Sequence, residues 1–127
     1  MAKQMTLGQL IDVLERKDRE MKVDYAFGYF SPTSFHSWRG AYEELAIGYQ
    51  HWAEFGYDKR PKVGKLLELA TNADGGIFTG YKGGDFTMSR DNRVWISNVD
   101  EACDCGIVDV MEANGNLVIV PGFFTYP

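Results

Sequence analysis

At 127 residues with a formal net charge of −5, the chain has the length of one domain with a real core, and it is too acidic to track a long nucleic-acid backbone, which needs many lysine and arginine contacts. An apolar fraction of 45% and a charged fraction of 24% are those of an ordinary globular protein, and no apolar run approaches the length of a bilayer crossing. Glycines (14) and aromatic residues (8 Phe, 7 Tyr, 3 Trp) are plentiful for this size, which points to tight turns and to surfaces that stack.

Residues 1–4 precede a second methionine, Met5, and read as an alternative start or a short disordered extension; residues 5–127 read as a single domain. No basic and apolar leader opens the sequence, so a cytoplasmic location is expected. From Thr6 to about Arg19, Leu7, Leu10, Ile11 and Leu14 fall at i, i+3, i+4 and i+7, and Thr6 with Gln9 has the form of a capping box. An amphipathic helix is predicted there. Val23, Tyr25 and Phe27 then alternate with Asp24 and Ala26, as in a strand.

The density of Ser, Thr, Pro and Gly from Ser31 to Gly40 reads as a loop, and Glu44 to Gln50 as a second strand. His51 to Arg60 is a polar and aromatic connection ending at Pro61. Beyond it Val63, Leu66, Leu67 and Ala70 repeat the helical spacing, and Asn72-Ala73-Asp74-Gly75-Gly76 ends that second helix. Short strands are predicted at Ile77 to Tyr81, Asp85 to Met88, Val94 to Asn98, Ile107 to Glu112 and Asn116 to Val120. The last two flank Asn114-Gly115, a type I′ hairpin signal that would pair Val110 with Ile119 and Met111 with Val118. Both faces of this hairpin are apolar, so it is expected to be central or covered on both sides. The sum is an α+β domain with a largely antiparallel sheet of about five to seven strands and two amphipathic helices.

Cys103 and Cys105 would point to opposite faces of a strand, which disfavours a bridge between them, and two reduced thiols is the plain reading. A metal site is not expected, because no second cysteine pair exists and His36 and His51 are distant in sequence. Asp100, Glu101, Asp104 and Asp109 lack calcium-loop spacing and read as a solvated acidic turn. Cofactors are not expected.

Two segments carry the chemistry. Ser34 to Tyr42 places Arg39 between Trp38 and Gly40, with Phe35 and Tyr42 nearby; Gly80 to Phe86 places Lys82 between Tyr81 and the pair Gly83-Gly84. A guanidinium can hold a phosphate bidentately, consecutive glycine amides can form an anion nest, and aromatic faces can stack on a base. Trp38, Arg39, Gly40, Tyr42, Tyr81, Lys82, Gly83 and Gly84 are therefore the candidate ligand-binding residues. The bland alternatives are a structural Arg39 paired with Glu43 or Glu44, and a simple hairpin turn at Gly83-Gly84. Catalysis has less support: His36 and His51 sit in unlike contexts, and acidic neighbours oppose thiolate formation at the cysteines.

The runs Met5-Thr6-Leu7-Gly8-Gln9-Leu10-Ile11, Ser37-Trp38-Arg39-Gly40-Ala41-Tyr42-Glu43-Glu44-Leu45-Ala46, Val63-Gly64-Lys65-Leu66-Leu67 and Thr79-Gly80-Tyr81-Lys82-Gly83-Gly84-Asp85-Phe86-Thr87-Met88 together resemble a set of small proteins common in bacteriophage genomes. The resemblance spans most of residues 5 to 110; members of that set tend to have Tyr at the position of Trp38, and the segment from Ile107 to Pro127 is less typical of them. It implies, by analogy, a counter-defence role in an infected bacterial cell, in which a small cyclic nucleotide signal is sequestered without cleavage. Arg39 and Lys82 would then meet phosphate, Trp38, Tyr42 and Tyr81 would stack on bases, and a pocket at a subunit interface would make the protein a homo-oligomer. Two other readings stand beside it. One is a non-catalytic inhibitor of a host enzyme that docks through Phe55, Tyr57, Phe123, Phe124 and Tyr126. The other is a phosphodiesterase dependent on His36 or His51.

Overall fold

The computed structural model describes residues 3–37, 44–56, 59–79, 84–96 and 105–124. Helix α1 (Leu7–Glu15) begins at the expected capping box: Thr6 Oγ1 accepts the Gln9 amide at 3.3 Å, and Gln9 Oε1 accepts the Thr6 amide at 2.9 Å. It stops at Glu15 rather than near Arg19. The Arg19 guanidinium instead turns back and donates to the carbonyls of Leu14, Glu15 and Lys17 at 3.0, 3.1 and 2.9 Å, supplying partners that a helix end otherwise lacks.

Three strands follow, β1 (Val23–Tyr25), β2 (Phe30–Ser37) and β3 (Leu45–His51), then a short helix α2 (Trp52–Phe55) and the second long helix α3 (Val63–Ala73). Strands β4 (Ile77–Thr79), β5 (Asp85–Thr87), β6 (Val94–Ile96), β7 (Cys105–Ala113) and β8 (Asn116–Phe123) complete the described elements. The architecture is α+β, as expected. Six strands form one mixed sheet in the order β1-β8-β7-β6-β3-β2, with β1/β8 and β3/β6 parallel and the remaining neighbours antiparallel; β4 and β5 form a separate antiparallel pair.

Residues read from sequence as the loop Ser31 to Gly40 form most of β2, while 38–40 lie outside the described residues. Pro32, Ser31 and Ser34 are acceptable there because β2 is last in the sheet order, where a missing main-chain donor breaks no interior ladder. At the other end of the chain the Asn114-Gly115 turn forms as expected, with φ of 52° and 81°, and sets Val110 opposite Ile119 and Met111 opposite Val118. The hairpin is interior to the sheet, as expected from its two apolar faces. Val110 and Ile119 enter the core, whereas Met111 is 47% exposed, because α1 and α3 pack on a single side.

That core follows from strand alternation. Leu45 and Ile47, Val94 and Ile96, and Leu117 and Ile119 face Leu7, Leu10, Ile11 and Leu14 of α1 and Val63, Leu66, Ala70 and Ala73 of α3. Ala46 and Trp95, on the opposite face, are buried beneath Phe124. The chain just before α1 belongs to the same layer: the Met5 amide donates to Ile107 O at 2.7 Å, Met5 O accepts from the Val94 amide at 3.0 Å, and Gln4 Nε2 donates to Val94 O at 3.0 Å. Gln4, grouped by sequence with the extension, is thus tied to β6.

The sheet curls until its end strands meet. Ser31 of β2 donates through Oγ to Asp24 Oδ1 of β1 at 2.9 Å, in a buried bond between the first and last strands of the order. A bulge in β2 helps re-aim this strand: Pro32 lies opposite Tyr49 and Phe35 opposite Ile47, so Thr33 and Ser34 together oppose Gly48. A Cβ on residue 48 would lie 2.2 Å from Thr33 Oγ1. Gly48→Ala is therefore expected to destabilise the protein by about 1–3 kcal/mol through overpacking. Most of that loss should be recovered in Thr33→Ala/Gly48→Ala, as measured by urea denaturation.

Candidate functional site

Of the ligand-binding residues expected from sequence, Trp38, Arg39, Gly40, Tyr42, Tyr81, Lys82 and Gly83 lie outside the described residues. Gly84 is described: it is exposed, and nothing lies within 4 Å of where a Cβ would stand. Phe35 is partly buried and packs against the core. Strand β2, which leads into residue 38, lies against β4, which leads into residue 80. Glu44, weighed as a partner for Arg39, is engaged by Arg93 through Nε at 3.0 Å and through Nη2, and the Arg93 guanidinium lies 5.6 Å from the Trp95 ring centroid.

The described residues surround a cleft of about 390 Å³ that sequence reasoning did not anticipate. Strand β2 contributes Pro32, Thr33 and Ser34 at its bulge; α2 contributes Phe55; Lys59 and Pro61 come from the connection to α3; and α3 itself contributes Lys65 and Leu69. Lys65 and Leu69 are four apart and so share one helix face. Two prolines, a phenylalanine ring and a leucine make the walls apolar, and both lysines are exposed. Among the described residues neither ammonium has an ion-pair partner, while neighbouring Lys62 is paired with Glu20 at 3.1 Å. Among the described residues the lining holds no carboxylate, imidazole or thiol. Such a cleft can attract an anion and bury a flat or apolar body.

Behind this cleft stands a buried ion pair. Arg60, between the lining residues Lys59 and Pro61, donates from Nη1 to Asp24 Oδ1 at 2.7 Å, and the same oxygen accepts from Ser31. The guanidinium also lies 4.1 Å from the centroid of Trp52 on α2. Pro61 O accepts the Val23 amide at 3.0 Å. The wall between α2 and α3 is thereby anchored to β1 and β2.

The two histidines occupy separate places. His51 caps α2, its Nδ1 accepting from the Ala53 amide at 3.0 Å. His36 is opposite Ala46, five positions back along β3 from His51, which sets the two roughly 16 Å apart along the strand direction. They do not face one bond. Among the described residues no three His, Cys, Asp or Glu side chains gather as a metal site, and no helix is long and apolar enough to cross a membrane. Comparison with protein-family models, with curated proteins and with solved structures found no match to this chain.

Sequence reasoning reached Phe55 as an exposed contact residue and missed Lys59, Lys65 and the two prolines as a group. The one local signal was the Lys65/Leu69 spacing; the bulge and the Arg60 contacts that bring β2 opposite α3 have none.

Two outcomes follow from this geometry. Arg60→Met leaves the Asp24 carboxylate buried with the Ser31 hydroxyl, and the loss in unfolding free energy should be about 3–5 kcal/mol in urea titrations. Burial lowers the His36 pKa from its ordinary 6.5, outweighing an opposing hydrogen bond with the Ser34 backbone. The unfolded chain then takes up this proton at higher pH than the folded protein does, so stability falls as pH drops below 6.5 and levels off once folded His36 is protonated too. His36→Asn should flatten the melting-temperature profile in that window, measured between pH 7 and 5.

Proposed function

We propose that the protein captures a small phosphorylated ligand carrying a flat ring and holds it without cleavage, as a counter-defence factor would hold a cyclic nucleotide signal in the cytoplasm of an infected bacterial cell. The observation that carries this reading is the cleft: apolar walls with Phe55, and Lys59 and Lys65 with no ion-pair partner among the described residues, in a protein of net charge −5. Local cations against an overall negative charge favour a short anion over a polynucleotide. The ring lies against Phe55 and the prolines, and phosphate meets the two ammoniums. The sequence-level roles of Arg39 and Lys82 at phosphate, of Trp38, Tyr42 and Tyr81 at bases, and of Gly40, Gly83 and Gly84 in close backbone approach belong to the same reading, as does self-association. β2 supports their inclusion, because the strand that lines the cleft leads directly into residue 38.

One observation favours the inhibitor of a host enzyme as a second reading: Phe123, at the end of β8, is 73% exposed.

A thermal-shift screen against cyclic di- and trinucleotides, cyclic ADP-ribose isomers and linear nucleotides tests the proposal, followed by recovery of the ligand after heat denaturation. A ligand at 100 times its dissociation constant should add about 2.7 kcal/mol of stability and be released intact. Lys59→Ala/Lys65→Ala and Arg39→Ala should each weaken binding by about tenfold or more, equivalent to at least about 1.4 kcal/mol. Phe123→Ser should leave ligand binding unchanged. A degraded ligand would establish an enzyme, and no stabilisation across the panel would favour the protein partner.

A further inference from the structure

Resting on the reading of the cleft as a phosphorylated-ligand site, we infer that Arg60 is its positioning residue: through Asp24 Oδ1 it sets where Lys59 stands against the β2 wall, without meeting the ligand itself.

Two walls of the cleft are fixed to one oxygen atom. Arg60 donates to Asp24 Oδ1 at 2.7 Å from between the lining residues Lys59 and Pro61. Ser31 donates to the same oxygen at 2.9 Å from beside the lining residue Pro32. Both donors are buried, with 6% of Arg60 and 0% of Ser31 exposed, and a hydrogen bond to a charged group is short and directional. The separation of the 59–61 wall from the β2 wall is therefore set by these two bonds. The Trp52 ring, whose centroid lies 4.1 Å from the guanidinium, supports the planar fork from its other side.

The second lysine of the cleft is held independently. Lys65 is carried by α3, whose first amides are tied elsewhere: Val63 donates to Met21 O at 2.8 Å and Gly64 to Arg19 O at 3.0 Å. Lys62, just before the helix, pairs with Glu20 at 3.1 Å. Lys59 has a local tie, its amide donating to Gly56 O at 2.9 Å, which shapes a turn and does not set its distance from β2. Pro61 O, accepting from the Val23 amide at 3.0 Å, fixes the far side of Arg60 to β1 and leaves the Lys59 side to the guanidinium. Loss of the guanidinium should thus displace Lys59 and leave Lys65 in place. An apolar pair of similar volume can restore stability where a buried ion pair stood, yet apolar contact has no direction and cannot aim the wall.

The test is a mutant cycle in the full chain, read by isothermal titration with cyclic di-adenosine monophosphate, cyclic ADP-ribose and adenosine 5′-monophosphate as probes, beside urea denaturation of each variant. Asp24→Leu/Arg60→Met removes the ion pair and keeps the space filled, while Val110→Ala, in the core, is a destabilised control. The first should unfold near the wild-type midpoint and bind at least about tenfold more weakly; the second should be less stable and bind as the wild type does. Lys59→Ala should cost about threefold or more in the wild type and less than about twofold in the Asp24→Leu/Arg60→Met background, whereas Lys65→Ala should cost the same factor in both. Arg60→Lys, which keeps the charge and loses the fork, gives the same pattern in a second background. Wild-type affinity in Asp24→Leu/Arg60→Met, or an equal cost of Lys59→Ala with and without Arg60, overturns the inference and leaves nucleotide capture standing. Binding of none of the probes by the wild type overturns both.

Discussion

Asp24 and Arg60 form an ion pair that is almost wholly removed from water, with 5% and 6% of their residue surfaces exposed, and three parts of the chain meet there. Asp24 brings β1, Ser31 brings β2, and Arg60 brings the segment between α2 and α3 with its face against Trp52. Burying two charges is expensive unless geometry and extra hydrogen bonds compensate, so the arrangement tolerates little displacement of any member. Its consequence is topological. The two ends of the six-strand order are joined by side chains where no ladder joins them, and the sheet stays curled around Tyr25, whose buried hydroxyl donates to Gly48 O at 2.9 Å. Burial, with a lesser contribution from nearby Cys105, holds that phenol well above the usual tyrosine range, which keeps it a neutral donor.

The cleft depends on the same anchor. Lys59 and Pro61 flank Arg60 in sequence, so fixing the guanidinium fixes the wall they form, and the β2 bulge opposite places Pro32, Thr33 and Ser34 across from α3. An acidic chain thereby carries a local pair of ammoniums beside apolar surface, while Lys62, three positions from each in sequence, is paired with Glu20. Fold and cleft both depend on that buried contact, which leaves two ammoniums beside apolar surface.

Periodicity carried most of the helical architecture. Leu7, Leu10, Ile11 and Leu14, with the Thr6/Gln9 box, describe an amphipathic helix in any context, and Val63, Leu66 and Ala70 describe a second. The hairpin was equally local, since Asn114 and Gly115 are the residue types that accept positive φ at both turn positions. β2 was not legible. Its serines, threonine and proline read as loop because their strand conformation is stabilised by β3 on one side and by Asp24 across the seam. The hairpin's interior place was legible in its two apolar faces, but the exposure of Met111 was not: alternation shows that a face is apolar, and only the placement of α1 and α3 decides which face is covered.

The α+β class, the two long helices, the capping box and the type I′ turn were determined by the sequence alone, because each rests on residues within a few positions of one another. The mixed order of the sheet, the closure at Asp24 and Arg60 and the cleft between β2 and α3 were decided by tertiary structure. They arise from contacts such as Arg60 to Asp24, 36 positions apart, whose energy depends on desolvation and geometry that no local pattern records.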